Sequence, residues 1–98
     1  MRKYVICRSN MGVHAGELDD QESTIDTKVL YNARRLWRWY SAFTLSELAK
    51  NGPVKLNECK FSEAVARTEL TSPTNGFEII DMTVKAREII ASVKPCVP

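Results

Sequence analysis

The chain has 98 residues, of which 44% are apolar and 27% charged, and its formal net charge is +2. That length holds a single domain, residues 1–98, with one modest core and no room for a second. So small a net charge excludes strong, indiscriminate binding to nucleic acid, and no apolar run approaches the ~20 residues of a membrane span.

The N-terminus, Met1-Arg2-Lys3-Tyr4, lacks a signal peptide's apolar centre, so a cytoplasmic location is expected. Tyr4 to Cys7 (Y-V-I-C) predicts a short first strand. Ser9-Asn10-Met11-Gly12 supplies turn residues, and Gly12 to Leu18 returns as a second strand. The acid-rich Asp19 to Ser23 reads as a solvated turn, after which Thr24 to Lys28 leads into a central strand, Val29 to Tyr40.

This stretch, V-L-Y-N-A-R-R-L-W-R-W-Y, holds both tryptophans, two of the three tyrosines and three arginines, with no acid. In strand alternation Val29, Tyr31, Ala33, Arg35, Trp37 and Trp39 share one mostly apolar face, and Leu30, Asn32, Arg34, Leu36, Arg38 and Tyr40 share the other. A helix would align Leu36, Trp39, Tyr40 and Phe43 but strand Trp37 off the stripe. The strand reading is preferred, because Val, Tyr and Trp suit a pleated surface and the helix start signal comes later, at Thr44.

Thr44-Leu45-Ser46-Glu47 matches a capping box, Leu45, Leu48 and Ala49 share a face, and Gly52-Pro53 ends the helix. Val54 to Phe61 reads as a connecting loop. Val65 to Leu70 alternates as a strand, Ser72 to Gly76 turns, and Phe77 to Ile80 pairs back. Asp81 or Thr83 caps a second helix carrying Ala86, Ile89, Ile90 and Val93, and Pro95 stops it before the tail Cys96-Val97-Pro98. The predicted fold is α+β, a mainly antiparallel twisted sheet of about five strands with two helices, in the order β-β-β-α-β-β-α.

Chemistry is narrowed sharply. His14 is the one histidine, so no zinc site of familiar spacing exists, and it is expected as a strand histidine with its nitrogens satisfied locally. Cys7, Cys59 and Cys96 are odd in number and scattered, which fits free thiols in a reducing compartment. A Cys–His nucleophile pair would need folding to bring His14 beside one of them. Gly12-x3-Gly16 is neither a P-loop nor a dinucleotide fingerprint, and Asp19-Asp20 sit in a polar turn. No enzyme activity, metal or cofactor is expected.

The aromatic and arginine surface remains. Trp, Tyr and Arg dominate binding hot spots because they bury area and keep a polar handle. At least one of Trp37 and Trp39 reads as core. Asn32, Arg34, Arg38 and Tyr40 are the leading ligand-binding candidates, with Arg35, Trp37 and Trp39 completing the set. Glu17 to Asp26 holds five acids and no base, whereas Thr27 to Ser46 holds four bases and no acid. Two outcomes stay open: these segments pair across the sheet, or the bases form a separate patch.

Asn32-Ala33-Arg34-Arg35-Leu36-Trp37-x-Trp39, followed by Leu45-Ser46-x-Leu48-Ala49 and Cys59-Lys60-Phe61, resembles a family of small uncharacterised proteins of tailed phages and prophages, from about Lys3 to Ile90. Where related sequences carry a glycine soon after the second tryptophan, this chain has Tyr40-Ser41, so a different turn is expected there. The family has no assigned activity. The resemblance implies a phage origin, expression inside a bacterial cell and an accessory role. The expected function is a non-catalytic binding protein, acting in counter-defence, that sequesters an anionic nucleotide-derived ligand between subunits of a homo-oligomer. The alternative is a protein-interaction module that inhibits a host protein or joins a virion, through the aromatic residues or through an acidic Glu17 to Asp26 segment that mimics nucleic acid. A third expectation is weak single-stranded nucleic-acid binding.

Overall fold

The computed structural model describes residues 2–40, 44–74 and 76–96, and begins with a hairpin of Arg2–Ser9 (β1) and Gly12–Asp19 (β2). Its register runs unbroken from Arg2 opposite Asp19 to Ser9 opposite Gly12. Thr27–Arg38 (β3) pairs with β2 on one edge. Its other edge is lined by Lys60–Phe61 (β4) and Val65–Thr71 (β5), which together act as one interrupted strand beside β3. Glu78–Asp81 (β6) adds to the far edge of β1. The pairings between these strands are all antiparallel, and the sheet reads β4/β5, β3, β2, β1, β6.

The α+β class and the element order follow the sequence, with one addition. The stretch read as a loop, Val54 to Phe61, contains a 3-10 turn at Leu56–Glu58 and the two-residue β4. The anchor is Phe61, fully buried and paired with Leu36. A two-residue strand has too few positions for alternation to reveal. Ser41, Phe43, Asn75, Val97 and Pro98, which enter the sequence-based expectations, lie outside the described residues.

Leu45–Asn51 (α1) starts where Thr44 Oγ1 accepts from the Glu47 N–H at 3.2 Å, and it ends at Gly52 with φ +73°. Val84–Ser92 (α2) is capped by Thr83 rather than Asp81, the Ala86 N–H reaching Thr83 Oγ1 at 3.1 Å. The same threonine donates its N–H to Ala49 O at 3.0 Å and its hydroxyl to Lys50 O at 2.7 Å. One residue thereby satisfies orphaned N–H groups at the start of α2 and orphaned carbonyls at the end of α1. A Cβ on Gly52 would stand 3.1 Å from Ile89 Cβ, so the C-cap glycine also lets α2 approach closely.

The two helices cover one face of the sheet, over a core of Ile6, Ala15, Leu36, Leu48, Ala49, Phe61, Ile90 and Val93. The opposite face gathers Val5, Cys7, Leu18, Leu30, Ala33 and Leu70 without a helix. The link from β5 to β6 joins opposite edges of the sheet and brings Phe77, with Ile79, onto this second cluster. The Lys28 ammonium lies 5.5 Å from the Phe77 ring centre.

The central strand departs from simple alternation. Glu17 faces Tyr31 and Ala15 faces Arg34, so three steps along β3 match two along β2. The extra residue is a bulge at Asn32, whose φ is +52°. Before it, Val29 and Tyr31 point to the helix side; after it, Arg34 and Leu36 do, while Leu30, Ala33, Arg35 and Trp37 take the other side. A second irregularity between Leu36 and Arg38 brings Trp39 back against the helix-side core and leaves Trp37 52% exposed. The odd and even faces expected for residues 29–40 are therefore corrected: a single period of two does not survive two inserted residues.

Gly16 permits the first bulge. A Cβ there would meet Ala33 Cα at 3.0 Å, Ala33 Cβ at 3.1 Å and Tyr31 O at 3.1 Å, all on β3. Two of these three atoms are backbone and cannot swing aside. Gly16→Ala is expected to cost about 1–3 kcal/mol in urea or thermal unfolding, the usual range for overpacking. Asn32→Gly keeps the positive φ open and is expected to stay within about 1 kcal/mol of the parent. Equal losses in both variants would contradict this assignment of the strain.

Candidate functional site

The bulge decides where the arginines go. Arg34, turned to the helix side, is only 7% exposed. Its Nε donates to Ser62 O at 2.7 Å and its Nη1 to Ile90 O at 2.6 Å, tying β3 to the β4–β5 link and to the last turn of α2. A cation at a helix C-terminus also meets the negative end of the helix dipole. Burial lowers the Arg34 pKa from its ordinary value, and the ring of Phe61 lies 5.4 Å from its guanidinium carbon. The remaining nitrogen, Nη2, is shielded from solvent and has no hydrogen-bond partner among the described residues. A buried charged donor left unmatched is costly, which makes it a place to look for a ligand.

Arg34 forms part of the wall of a hollow of about 520 Å³ between α2 and strands β1 to β3, shared with Tyr4, Glu17, Asn32, Arg87 and Glu88. Arg87, half-buried on α2, stacks its guanidinium 4.0 Å from the Tyr4 ring centre and forms no ion pair with any described residue. Asn32 Nδ2 donates to Glu17 Oε2 at 2.7 Å. Two arginines and two glutamates thus help to line one concavity, whose volume lies within the range of small-ligand sites.

The seven candidate residues from the sequence fall in separate places. Asn32 and Arg34 reach the hollow. Arg35 and Trp37 stack on each other along β3, 5.6 Å from guanidinium carbon to ring centre. Arg38 and Tyr40 stand at the end of the strand, where Arg38 Nη2 donates to the tyrosine hydroxyl and the guanidinium lies 4.9 Å from the ring. Trp39 packs on the core. Tyr4, Glu17, Arg87 and Glu88 were missed. The β1–β2 turn could have placed Tyr4 opposite Glu17, but nothing in the sequence of α2 singles out Arg87.

The charge question is also resolved. Asp19 pairs with Arg2 at 3.3 Å, and Glu22 takes Arg67 at 2.8 Å together with the Tyr31 hydroxyl. Arg34, Arg35 and Arg38 make no ion pair with these acids or with any other described residue. Two acids of the segment, Asp19 and Glu22, are paired with arginines of β1 and β5 instead. Lys28 donates to the backbone oxygen of Thr24.

Cys7 and His14 do come together, as opposite residues of β1 and β2. Burial pushes the Cys7 thiol up to about 11. His14 is lowered from its ordinary value by burial and then by the Arg35 charge. Both groups are held neutral at pH 7, the reverse of a thiolate–imidazolium nucleophile. The expectation of a locally satisfied histidine is corrected: its Nδ1 is buried without a partner. Among the described residues no cluster of three or more His, Cys, Asp or Glu side chains could hold a metal, and no helix is long and apolar enough to cross a membrane.

Because the folded pKa of His14 is depressed, the unfolded chain takes up its proton first as pH falls. The neutral imidazole's contribution is therefore intact above the unfolded value and is lost as the pH drops below it. Thermal stability is expected to decline as the pH falls below about 6.5, and His14→Gln is expected to flatten that decline. An unchanged slope in the variant would contradict it.

No curated protein and no solved structure matches the chain. One family model does, over residues 1–90, and it is described as a domain of unknown function, DUF6948. With nine-tenths of its length covered, from β1 into α2, the chain belongs to the DUF6948 family.

Proposed function

We propose that the protein binds a small anionic ligand, nucleotide-derived, in the hollow between α2 and strands β1 to β3. The observation that carries this reading is that Arg34, whose buried Nη2 has no acceptor among the described residues, belongs to the lining of the hollow. Arg87 adds a second guanidinium, one with no ion pair among the described residues. Guanidinium forks match phosphate geometry, so these two groups suit the anionic end of such a ligand. Ionised, Glu17 and Glu88 are pure acceptors, and they suit the amino and imino donors of a base. The lining comes from one chain, so this reading no longer needs a subunit boundary to complete the site.

The family resemblance supplies the setting. A tailed-phage accessory protein, working in the host cytoplasm and withholding a nucleotide signal from a defence system, is the role in which such a site would serve. Binding without turnover is sufficient for it.

The test is calorimetry with mononucleotides, cyclic mono- and dinucleotides and ADP-ribose, each beside its unphosphorylated nucleoside. A phosphorylated ligand is expected to bind and its nucleoside to fail. Arg87→Ala is expected to weaken binding by about 10- to 100-fold, as loss of a hydrogen bond to a charged group implies. No heat with any of these ligands removes the reading.

One observation favours a second reading. Trp37 is 52% exposed and stacked with Arg35, on the face away from the hollow. An exposed Trp–Arg pair suits a protein contact. A host-lysate pull-down that recovers one stoichiometric partner, lost in Trp37→Ala, would support it.

A further inference from the structure

Of the two strands that border the sheet, β6 is short and fenced. It has four residues, and Glu78 and Asp81 at its ends pair with Arg8 and Lys3 of β1. β5 is different. Its seven residues, V-A-R-T-E-L-T, hold no proline, lysine or glycine, and five of them are exposed. Its pairing with β3 runs unbroken from Thr27 opposite Thr71 to Tyr31 opposite Arg67, and resumes in the same register with Ala33 opposite Val65 after the Asn32 bulge. Among the described residues no element lies along its outer edge. Edge strands are ordinarily blunted by charges, prolines, bulges or shortness, and β5 shows little of this.

Its charges are also self-complementary. Arg67 and Glu69 flank Thr68 and point to the same side, within 3.1 Å of each other. If a second β5 runs antiparallel alongside with Thr68 opposite Thr68, Arg67 falls opposite the partner's Glu69, and Glu69 opposite the partner's Arg67. Val65 then faces the partner's Thr71, and Ala66 the partner's Leu70. Opposite charges directly across an antiparallel pair stabilise it, and a one-residue slip destroys the match. Arg67 already gives Nε and Nη2 to Glu22 and Glu69 of its own chain, and a guanidinium carries further donors on Nη1.

We infer that two copies of the chain associate through β5, antiparallel about Thr68, joining their sheets into one across a two-fold axis. Residue i meets residue j and j meets i, the defining property of a closed symmetric pair. A contact of one strand edge falls below about 1,200 Å², the class of weak association. The dissociation constant is expected in the micromolar range. This inference is independent of the ligand reading, because none of the residues that would hold the ligand lies on β5.

The test is sedimentation velocity over about a hundredfold range of concentration, on the parent and on Arg67→Glu, Glu69→Arg and the double exchange R67E/E69R, with circular dichroism confirming that each is folded. The parent is expected to shift from monomer to dimer. Each single variant sets like charges opposite one another and is expected to remain monomeric. The double exchange restores opposite charges and is expected to dimerise again. Mixing the two single variants is expected to give a heterodimer, because one strand is then all acid at these positions and the other all base. A parent that stays monomeric throughout overturns the inference. So does association that neither single variant weakens, or single variants that remain apart when mixed. If either single variant does not fold, the parent and the double exchange decide, and loss of dimer in the double exchange overturns it.

Discussion

One inserted residue governs this molecule. Asn32 adds a step to β3 that β2 lacks, and Gly16 leaves the space in which the step is made. Without it, every residue beyond position 32 would change sides. Leu36 would leave the helix-side core, and Arg34 would lose Ser62 and Ile90 as acceptors. The bulge costs backbone strain at a non-glycine residue with positive φ, of order 1–2 kcal/mol. That is small beside the burial of Leu36 and the two charge-assisted hydrogen bonds of Arg34 that it secures.

Arg34 shows how a charged group can be both structural and available. Two of its nitrogens fasten three elements together, and its depressed pKa reports the cost of burial. Full satisfaction of the guanidinium would have made it a strut and nothing more. The unmatched Nη2 separates this arginine from Arg67, which is exposed, well supplied with carboxylates and pushed the other way in pKa. The helix bearing Arg87 is positioned by Thr83, which caps α2 and receives the end of α1 in one residue. The geometry of the hollow therefore depends on a polar contact one turn before Arg87, whose N–H donates to Thr83 O at 3.0 Å.

Much of the fold was legible because its signals are local. Thr44, Gly52 and Thr83 mark helix boundaries through hydrogen bonds to residues within four positions, so their chemistry reads directly from sequence. The meander was legible because β1 and β2 alternate in unbroken register. The central strand misled where local rules end. Its aromatic and basic residues look like one cluster on paper, but the two irregularities send them to the helix side, the open side and the strand's tip. A bulge is set by a glycine on the neighbouring strand, and no period within residues 29–40 announces it. Arg87 and Tyr4 were hidden for a similar reason: they are 83 positions apart and meet only because α2 folds over β1.

The order in which the sheet is assembled differs from the order in which it is synthesised. β1, β2 and β3 leave the ribosome first, but the remaining edge of β3 finds its partners only in β4 and β5, and the remaining edge of β1 waits for β6. Closing such distant pairings is slow, because loop entropy must be overcome before the contacts form. Until residue 71 has emerged the nascent meander carries two unpaired borders, and until residue 81 the border of β1 stays open, with α2 still to come. A chain truncated before that point would present the surfaces on which nascent proteins aggregate.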